Sequence, residues 1–361
     1  MKILLITPNL KQVGGVSNYY KVLKLSDLDY IDYFEVGASS TSKDNILSKT
    51  VRLIRGYIKF SYLIIFKKYD IVHLNPSLDS KSFFRDFIFI LISKVFRKKI
   101  IVFFRGWDPA FFSAIRDNFI LAMILKKFYL KSNLIITLGE YFKKLLIDFD
   151  SDCNHNIVIL STVADNIFLP EKNNISDIDK GISFLYMSRL VKSKGVYRCI
   201  EIFNEIKKIH KNCILNICGD GEELENLIDF LKTKKIEGVN YLGQVTGREK
   251  YDIINRSDVL LFLSEHGEGL PNTILESLLY GLIIISSDKG AINDWISDDN
   301  GFIYSNYEKD KILDYLFDLF SDSRKLNKIS YNNSKYAKSS FTPEVVSRKL
   351  LNIYEKVYNS K

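Results

Sequence analysis

Two carboxylates eight positions apart frame the stretch of this chain best equipped for chemistry: Glu268, then Gly269, Leu270, Pro271, Asn272, Thr273 and Ile274, and at last Glu276. An apolar run at residues 259–263 precedes the stretch and Leu278-Leu279-Tyr280 follows it, so strand, loop and helix succeed one another. Pro271 suits the first turn of a helix, where its missing N–H is no loss, and free amides at such an N-terminus favour an anion. Glu268 falls in the loop and Glu276 about one turn inside the helix. Ionised carboxylates only accept hydrogen bonds, which suits them to sugar or ribose hydroxyls on either side of a bound phosphate. A plainer reading stays open, with Glu276 on a helix face and Glu268 complementing the helix dipole.

Upstream, Arg189 and Lys194 follow the apolar residues 183–187, which puts two cations at the carboxyl end of a strand, where open α/β sheets bind ligands. A guanidinium fork and a compact ammonium together could neutralise a diphosphate, although a solvated basic loop would show the same residues. Gly219 and Gly221 after residues 215–218, and Gly14 and Gly15 after the first apolar run, would let a ligand approach the backbone; ordinary turns compete. His266 stands beside Glu268 as a further site group.

These residues hang on short apolar runs that alternate with helical patterns. Residues 3–6, 71–74, 100–104, 134–137 and 157–160 form one series of strands, and residues 183–187, 215–218, 239–242, 259–263 and 283–286 a second. A polar stretch with Pro170 divides them. The 361 residues therefore divide into a domain of residues 1–165, a domain of residues 166–342, and a last helix over residues 343–361 that packs back on the first.

Composition is that of a globular protein, 47% hydrophobic and 26% charged, with a net charge of +8. The surplus is uneven: residues 1–170 carry 24 basic and 15 acidic side chains, and residues 46–131 carry 17 basic and 5 acidic ones, interleaved with aliphatic and aromatic residues. Arg52, Arg55, Lys59, Lys67 and Lys68 are among them, and the pattern suits peripheral docking on an anionic membrane surface, with core-facing helices bearing solvated lysines as the alternative. The apolar interleaving and the absence of a reading motif argue against nucleic acid. Cys153, Cys199, Cys213 and Cys218 show neither metal-ligand nor disulfide spacing, and the opening residues are too briefly apolar for a signal core. A cytoplasmic protein, peripheral at the inner face of the membrane, is expected.

Taken in order, Gly14-Gly15, Arg189 with Lys194-Gly195, Gly219-Asp220-Gly221 and the paired Glu268 and Glu276 resemble the retaining glycosyltransferases of family 4. The resemblance spans most of the chain, and the two glutamates separated by seven residues are its specific part. It implies an α/β protein of the GT-B type, two Rossmann-like domains facing each other across a cleft, with a nucleotide-diphosphate sugar held by the C-terminal domain. By the same analogy Arg189 and Lys194 bind the diphosphate, Glu276 the ribose, and Glu268 with the amides after it the transferred sugar, while Thr273 and Ile274 offer N–H groups to the phosphates. The acceptor is a saccharide, lipid-linked in surface polysaccharide synthesis. No cofactor and no metal are expected, the two cations taking the metal's place.

One position departs from that family, which carries a His-Gly pair after the third main strand where this chain has Arg105-Gly106-Trp107-Asp108. Arg105 offers a fixed charge to a phosphate or hydroxyl but no titrating base, and Asp108 either orients sugar or pairs with Arg105. His73, at a strand end, faces a ligand or fills the core. Beside glycosyl transfer stand two other readings, a nucleotide-sugar epimerase or hydrolase of the same architecture and, on charge alone, a nucleic-acid-binding protein.

Overall fold

The computed structural model describes residues 1–12, 14–37, 45–169, 181–265 and 267–360. Pro170 and His266 lie outside the described residues. The chain divides into two compact units, one of Met1–Val163 with Pro343–Lys361 and one of Ala164–Thr342.

In the first unit the strands are β1 (Ile3–Pro8), β2 (Ile31–Val36), β3 (Ile71–Leu74), β4 (Ser77–Leu78), β5 (Lys99–Phe103), β6 (Gly106–Trp107), β7 (Leu134–Thr137) and β8 (Ile157–Ile159). Six of them form one parallel sheet in the order β2-β1-β3-β5-β7-β8, and β4 pairs with β6 apart from it. Helices α1 (Gly15–Leu23), α2 (Ile46–Phe66), α3 (Ser80–Val95), α4 (Pro109–Asp117), α5 (Phe119–Ile124) and α6 (Glu140–Phe149) connect them. The inner strands are covered on both faces, which is why they read as unbroken apolar runs.

The second unit contains β9 (Ser183–Met187), β10 (Ile214–Cys218), β11 (Val239–Gly243), β12 (Val259–Phe262), β13 (Ile283–Ser287) and β14 (Gly301–Tyr304), ordered β11-β10-β9-β12-β13-β14 and parallel throughout. Its helices are α7 (Val196–Ile209), α8 (Leu224–Lys234), α9 (Gly247–Asn255), α10 (Asn272–Leu279), α11 (Ile292–Trp295), α12 (Lys309–Phe320) and α13 (Ser323–Ser340). Both orders are those of doubly wound Rossmann-like domains, and each sheet reverses its winding beside its first strand.

The last helix, α14 (Pro343–Asn359), returns to the first unit. Its Val346, Leu350, Tyr354 and Val357 are buried, and the Lys99 ammonium donates to the carbonyls of Val357 (3.0 Å), Tyr358 (2.8 Å) and Ser360, satisfying groups that a helix C-terminus leaves open. The four cysteines are buried free thiols.

Candidate functional site

In the second unit the winding reverses between β9 and β12, and the loops leaving the carboxyl ends of these two strands carry Arg189, Lys194 and Glu268. Arg189 is exposed and forms no ion pair with a described residue. Its loop is pinned through the backbone: Leu190 N–H donates to the Asp220 carbonyl (2.9 Å) and Glu223 N–H to the Leu190 carbonyl (2.9 Å).

That pinning gives Gly219 and Gly221 a structural role. A Cβ at Gly219 would sit 1.9 Å from the Ser188 carbonyl oxygen and one at Gly221 2.3 Å from that of Leu190. The glycines permit the close approach of the Arg189 loop and act as positioning residues for it.

Lys194 ends a 3-10 turn and is buried, its ammonium 2.5 Å from Glu268 Oε1. The Ser264 hydroxyl donates to the same oxygen at 2.6 Å, and Ser287 Oγ holds the Ser264 carbonyl at 2.7 Å. Lys194 thus faces a carboxylate of its own chain, in a charge-assisted bond that compensates both groups for lost solvent. Glu268 is buried too, and the hydrogen bonds it receives from described residues fall on Oε1.

Past Glu268, Gly269 accepts a backbone bond from Ala291 (3.0 Å) and Leu270 is buried. Pro271 occupies the cap position before α10, one residue earlier than expected. The Ile274 amide already donates to the Pro271 carbonyl at 3.2 Å, so this expected phosphate donor is engaged. Thr273 and Asn272 stand in the first turn of α10, where amides lack intrahelical acceptors.

Glu276 is fully buried on α10. Lys250 Nζ lies 2.5 Å from its Oε2 and the Tyr251 hydroxyl donates to Oε1 at 3.3 Å. Burial lifts this carboxyl above its ordinary range, with Lys250 and Tyr251 pulling the other way. Tyr251 stacks on Tyr280, ring centroids 6.0 Å apart, and lies 5.6 Å from the Phe168 ring. Lys250 and Tyr251 carry no signal in the sequence, because both lie on α9 and their spacing from Glu276 matches no local motif; a helix with a lone Lys-Tyr pair has no distinguishing signature.

In the first unit the reversal falls between β1 and β3. Gly14 is extended and Gly15 opens α1; both are exposed, and a Cβ on Gly15 would meet nothing within 4 Å. Arg105 leaves β5 with its guanidinium 4.1 Å from the Tyr19 ring centroid and 4.3 Å from that of Phe103. Its Nε and Nη1 have no hydrogen-bond partner among the described residues, and burial lowers its pKa. Aromatic faces therefore hold this cation.

Two open alternatives narrow beside it. Asp108 is exposed and caps α4, its Oδ1 accepting from the amides of Ala110 (3.0 Å) and Phe111 (3.3 Å), and it makes no ion pair with Arg105. His73 is a core residue with no exposed surface, its Nδ1 2.6 Å from the Tyr354 hydroxyl of α14. Desolvation drives its pKa down to about 3, so it stays neutral.

Residues 170–336 match the family described as Glycosyl transferases group 1. An uncharacterized glycosyltransferase of Methanocaldococcus jannaschii is 24% identical over 240 residues, 65% of this chain and 61% of that protein. A capsular polysaccharide biosynthesis glycosyltransferase of Staphylococcus aureus, CapM, is 23% identical over 234 residues, 61% of this chain and 60% of that protein. Matches of this kind span about half to three fifths of the relatives' own length. Among solved structures, Anabaena HepE in complex with UDP and glucose superposes with a TM-score of 0.75 over 98% of this chain and 99% of that one, at 16% identity, a likeness of fold. The likeness is one of fold, the two Rossmann-like domains of GT-B glycosyltransferases, and the residues that match the glycosyl transferases group 1 model lie within the second unit.

Proposed function

We propose that this chain moves a sugar from a nucleotide-diphosphate donor to a saccharide acceptor, with retention of configuration and without a metal. The observation that carries the reading is the sheet edge of the second unit: an exposed Arg189 and a buried Lys194–Glu268 pair at the switch point, with the Glu276 carboxylate held by Lys250 and Tyr251 on the following helix. A diphosphate needs cations, a ribose needs a fixed acceptor, and a transferred sugar needs acceptors for its hydroxyls. Glu268 serves the sugar, Glu276 the ribose, and Arg189 the diphosphate.

When the donor binds, its diphosphate competes with Glu268 for the Lys194 ammonium. Breaking the bond between the anomeric carbon and the phosphate oxygen leaves its electron pair on the diphosphate, where Arg189 and Lys194 stabilise it. The acceptor hydroxyl forms the new bond to that carbon on the same face and gives its proton to a phosphate oxygen. In the first unit, Arg105 offers unused N–H groups to a substrate hydroxyl or phosphate oxygen.

The capsular polysaccharide relative and the basic N-terminal half support a saccharide acceptor carried on lipid, with the protein docked peripherally on an anionic membrane. Thermal-shift titration with UDP, GDP and their sugars tests the donor reading. A unit charge at ~4 Å contributes about 1 kcal/mol in water and about 4 kcal/mol at an effective dielectric of 20, so Arg189→Ala is expected to weaken diphosphate binding about a hundredfold. Undiminished binding in that variant places the diphosphate elsewhere. Transfer is expected to persist in EDTA, and nucleotide release at a rate indifferent to added acceptor identifies a hydrolase instead.

A further inference from the structure

Helix α2 uses only one of its faces in the core. Phe60 and Ile64 are buried against the first unit, the Phe60 ring 5.6 Å from Phe34 and 4.9 Å from Phe89. On the outer side, Leu47, Val51, Ile54, Ile58, Tyr62 and Ile65 are between 38% and 72% exposed. At about 100° per residue these six fall within about 80° of the circumference, an unbroken stripe about 27 Å long. Contiguous apolar surface of this kind marks an interaction site.

Charge names the occupant. The helix carries Lys49, Arg52, Arg55 and Lys59 and no acidic residue, and Lys67 and Lys68 follow its end. Arg52, Arg55 and Lys59 occupy an arc of about 60° adjoining the apolar stripe. A helix with a cationic face beside an apolar one lies in the plane of an anionic lipid surface, apolar side down among the acyl chains and cations at the headgroups. No helix among the described residues is long and apolar enough to cross a membrane.

We propose that the outer stripe of α2 is the element by which this protein seats on anionic lipid, with Ile54 and Ile58 at the centre of the inserted face. This rests on the membrane-docked reading above and assigns it to one helix. The alternative cover for such a stripe is a second copy of the chain, and the test separates the two.

The experiment is co-flotation of the full chain with vesicles of phosphatidylcholine alone and of phosphatidylcholine with phosphatidylglycerol. Two double variants accompany the wild type, Ile54→Asp with Ile58→Asp, and Arg55→Gln with Lys59→Gln. All four residues are exposed, Lys59 with its ammonium 5.8 Å from the Phe34 ring centroid, and an unchanged melting temperature checks folding without appeal to catalysis. The wild type is expected on anionic vesicles only. Removing two cations is expected to lower that partitioning about thirtyfold, and the aspartates to lower it at least tenfold. Wild-type flotation retained by both variants overturns the assignment to α2 while leaving membrane docking standing. A wild type that floats with neither vesicle overturns both. A wild-type dimer that Ile54→Asp with Ile58→Asp splits into monomers, with flotation unaffected, shows that the stripe covers a second copy and overturns the lipid assignment.

Discussion

The two units present the same edge of the same kind of sheet and fill it with opposite chemistry. At the reversal in the second unit, carboxylates and ammonium groups are paired: Lys194 with Glu268 and Lys250 with Glu276, both at 2.5 Å. At the reversal in the first, rings do the holding. Arg105 sits against Tyr19 and Phe103, His73 against Tyr354, and burial pushes the hydroxyls of Tyr19, Tyr20 and Tyr354 up in pKa so that they stay protonated. Parallel-sheet topology supplies the position, and side chains decide whether it recognises charge or hydroxyls. The contrast fits the proposed division between an ionic donor and an uncharged saccharide acceptor.

A paired glycine substitution strains that contrast most. Gly290, after β13, has φ +65°, and a Cβ there would stand 1.6 Å from the Glu268 carbonyl oxygen, whereas Gly15 has open space. Gly290→Ala is expected to destabilise the second unit by more than about 2 kcal/mol and to displace Glu268, cutting transfer at least a hundredfold. Gly15→Ala should fold normally, since alanine is the better helix former by about 1 kcal/mol, and any loss of turnover in it reports substrate approach alone. Melting curves and turnover measured side by side check this; identical behaviour of the two variants would dissolve the distinction.

These glycines also show where sequence is readable and where it is not. Inner strands announce themselves because both faces are buried, and the ten runs read from apolarity correspond to β1, β3, β5, β7 to β13 within a residue or two. Of the four strands that apolarity missed, β4 and β6 are two-residue segments paired outside the main sheets, and β2 and β14 each lie at an edge of their sheet, where Ile31–Val36 and Gly301–Tyr304 are only partly buried. Arg189, Lys194 and Glu268 stood out as candidates because loops at strand ends concentrate chemistry, and Glu276 because it follows the same loop into α10. Lys250 was not, because its bond to Glu276 depends on how α9 packs on α10. Glycines at 219 and 221 and a histidine at 73 carry no label saying whether they face a ligand or the protein's own backbone and rings.

The ring-filled edge carries its own acid sensitivity. Unfolded, His73 takes up a proton near pH 6.5; folded, it resists until about 3. The unfolded state therefore gains protons first, and stability falls as pH drops through that window. Between pH 7.5 and 5.5 this group alone should remove about 1 kcal/mol, read as an earlier urea midpoint in the transition reported by Trp107. In His73→Gln that pH-dependent portion is expected to vanish. A variant as acid-sensitive as the wild type would move the cause to another group.

The smallest effect probes the charge-filled edge. In the proposed role Glu276 must be ionised to accept two ribose hydroxyls, and burial already raises its pKa while Lys250 lowers it. Removing the cation in Lys250→Met leaves desolvation less opposed, so the carboxyl protonates at a higher pH. Nucleotide affinity, followed by calorimetry from alkaline to acid pH, should decline earlier in this variant than in the wild type, and the two should converge at the alkaline end. Glu276→Gln should flatten the profile altogether. Arg105→Gln, at an edge where the cation is held by rings, should leave the midpoint where it is. A Lys250→Met profile superimposed on the wild type would mean that Tyr251 and the bound ribose hold the carboxylate without help from charge, and that the two edges differ less in their physics than in their residues.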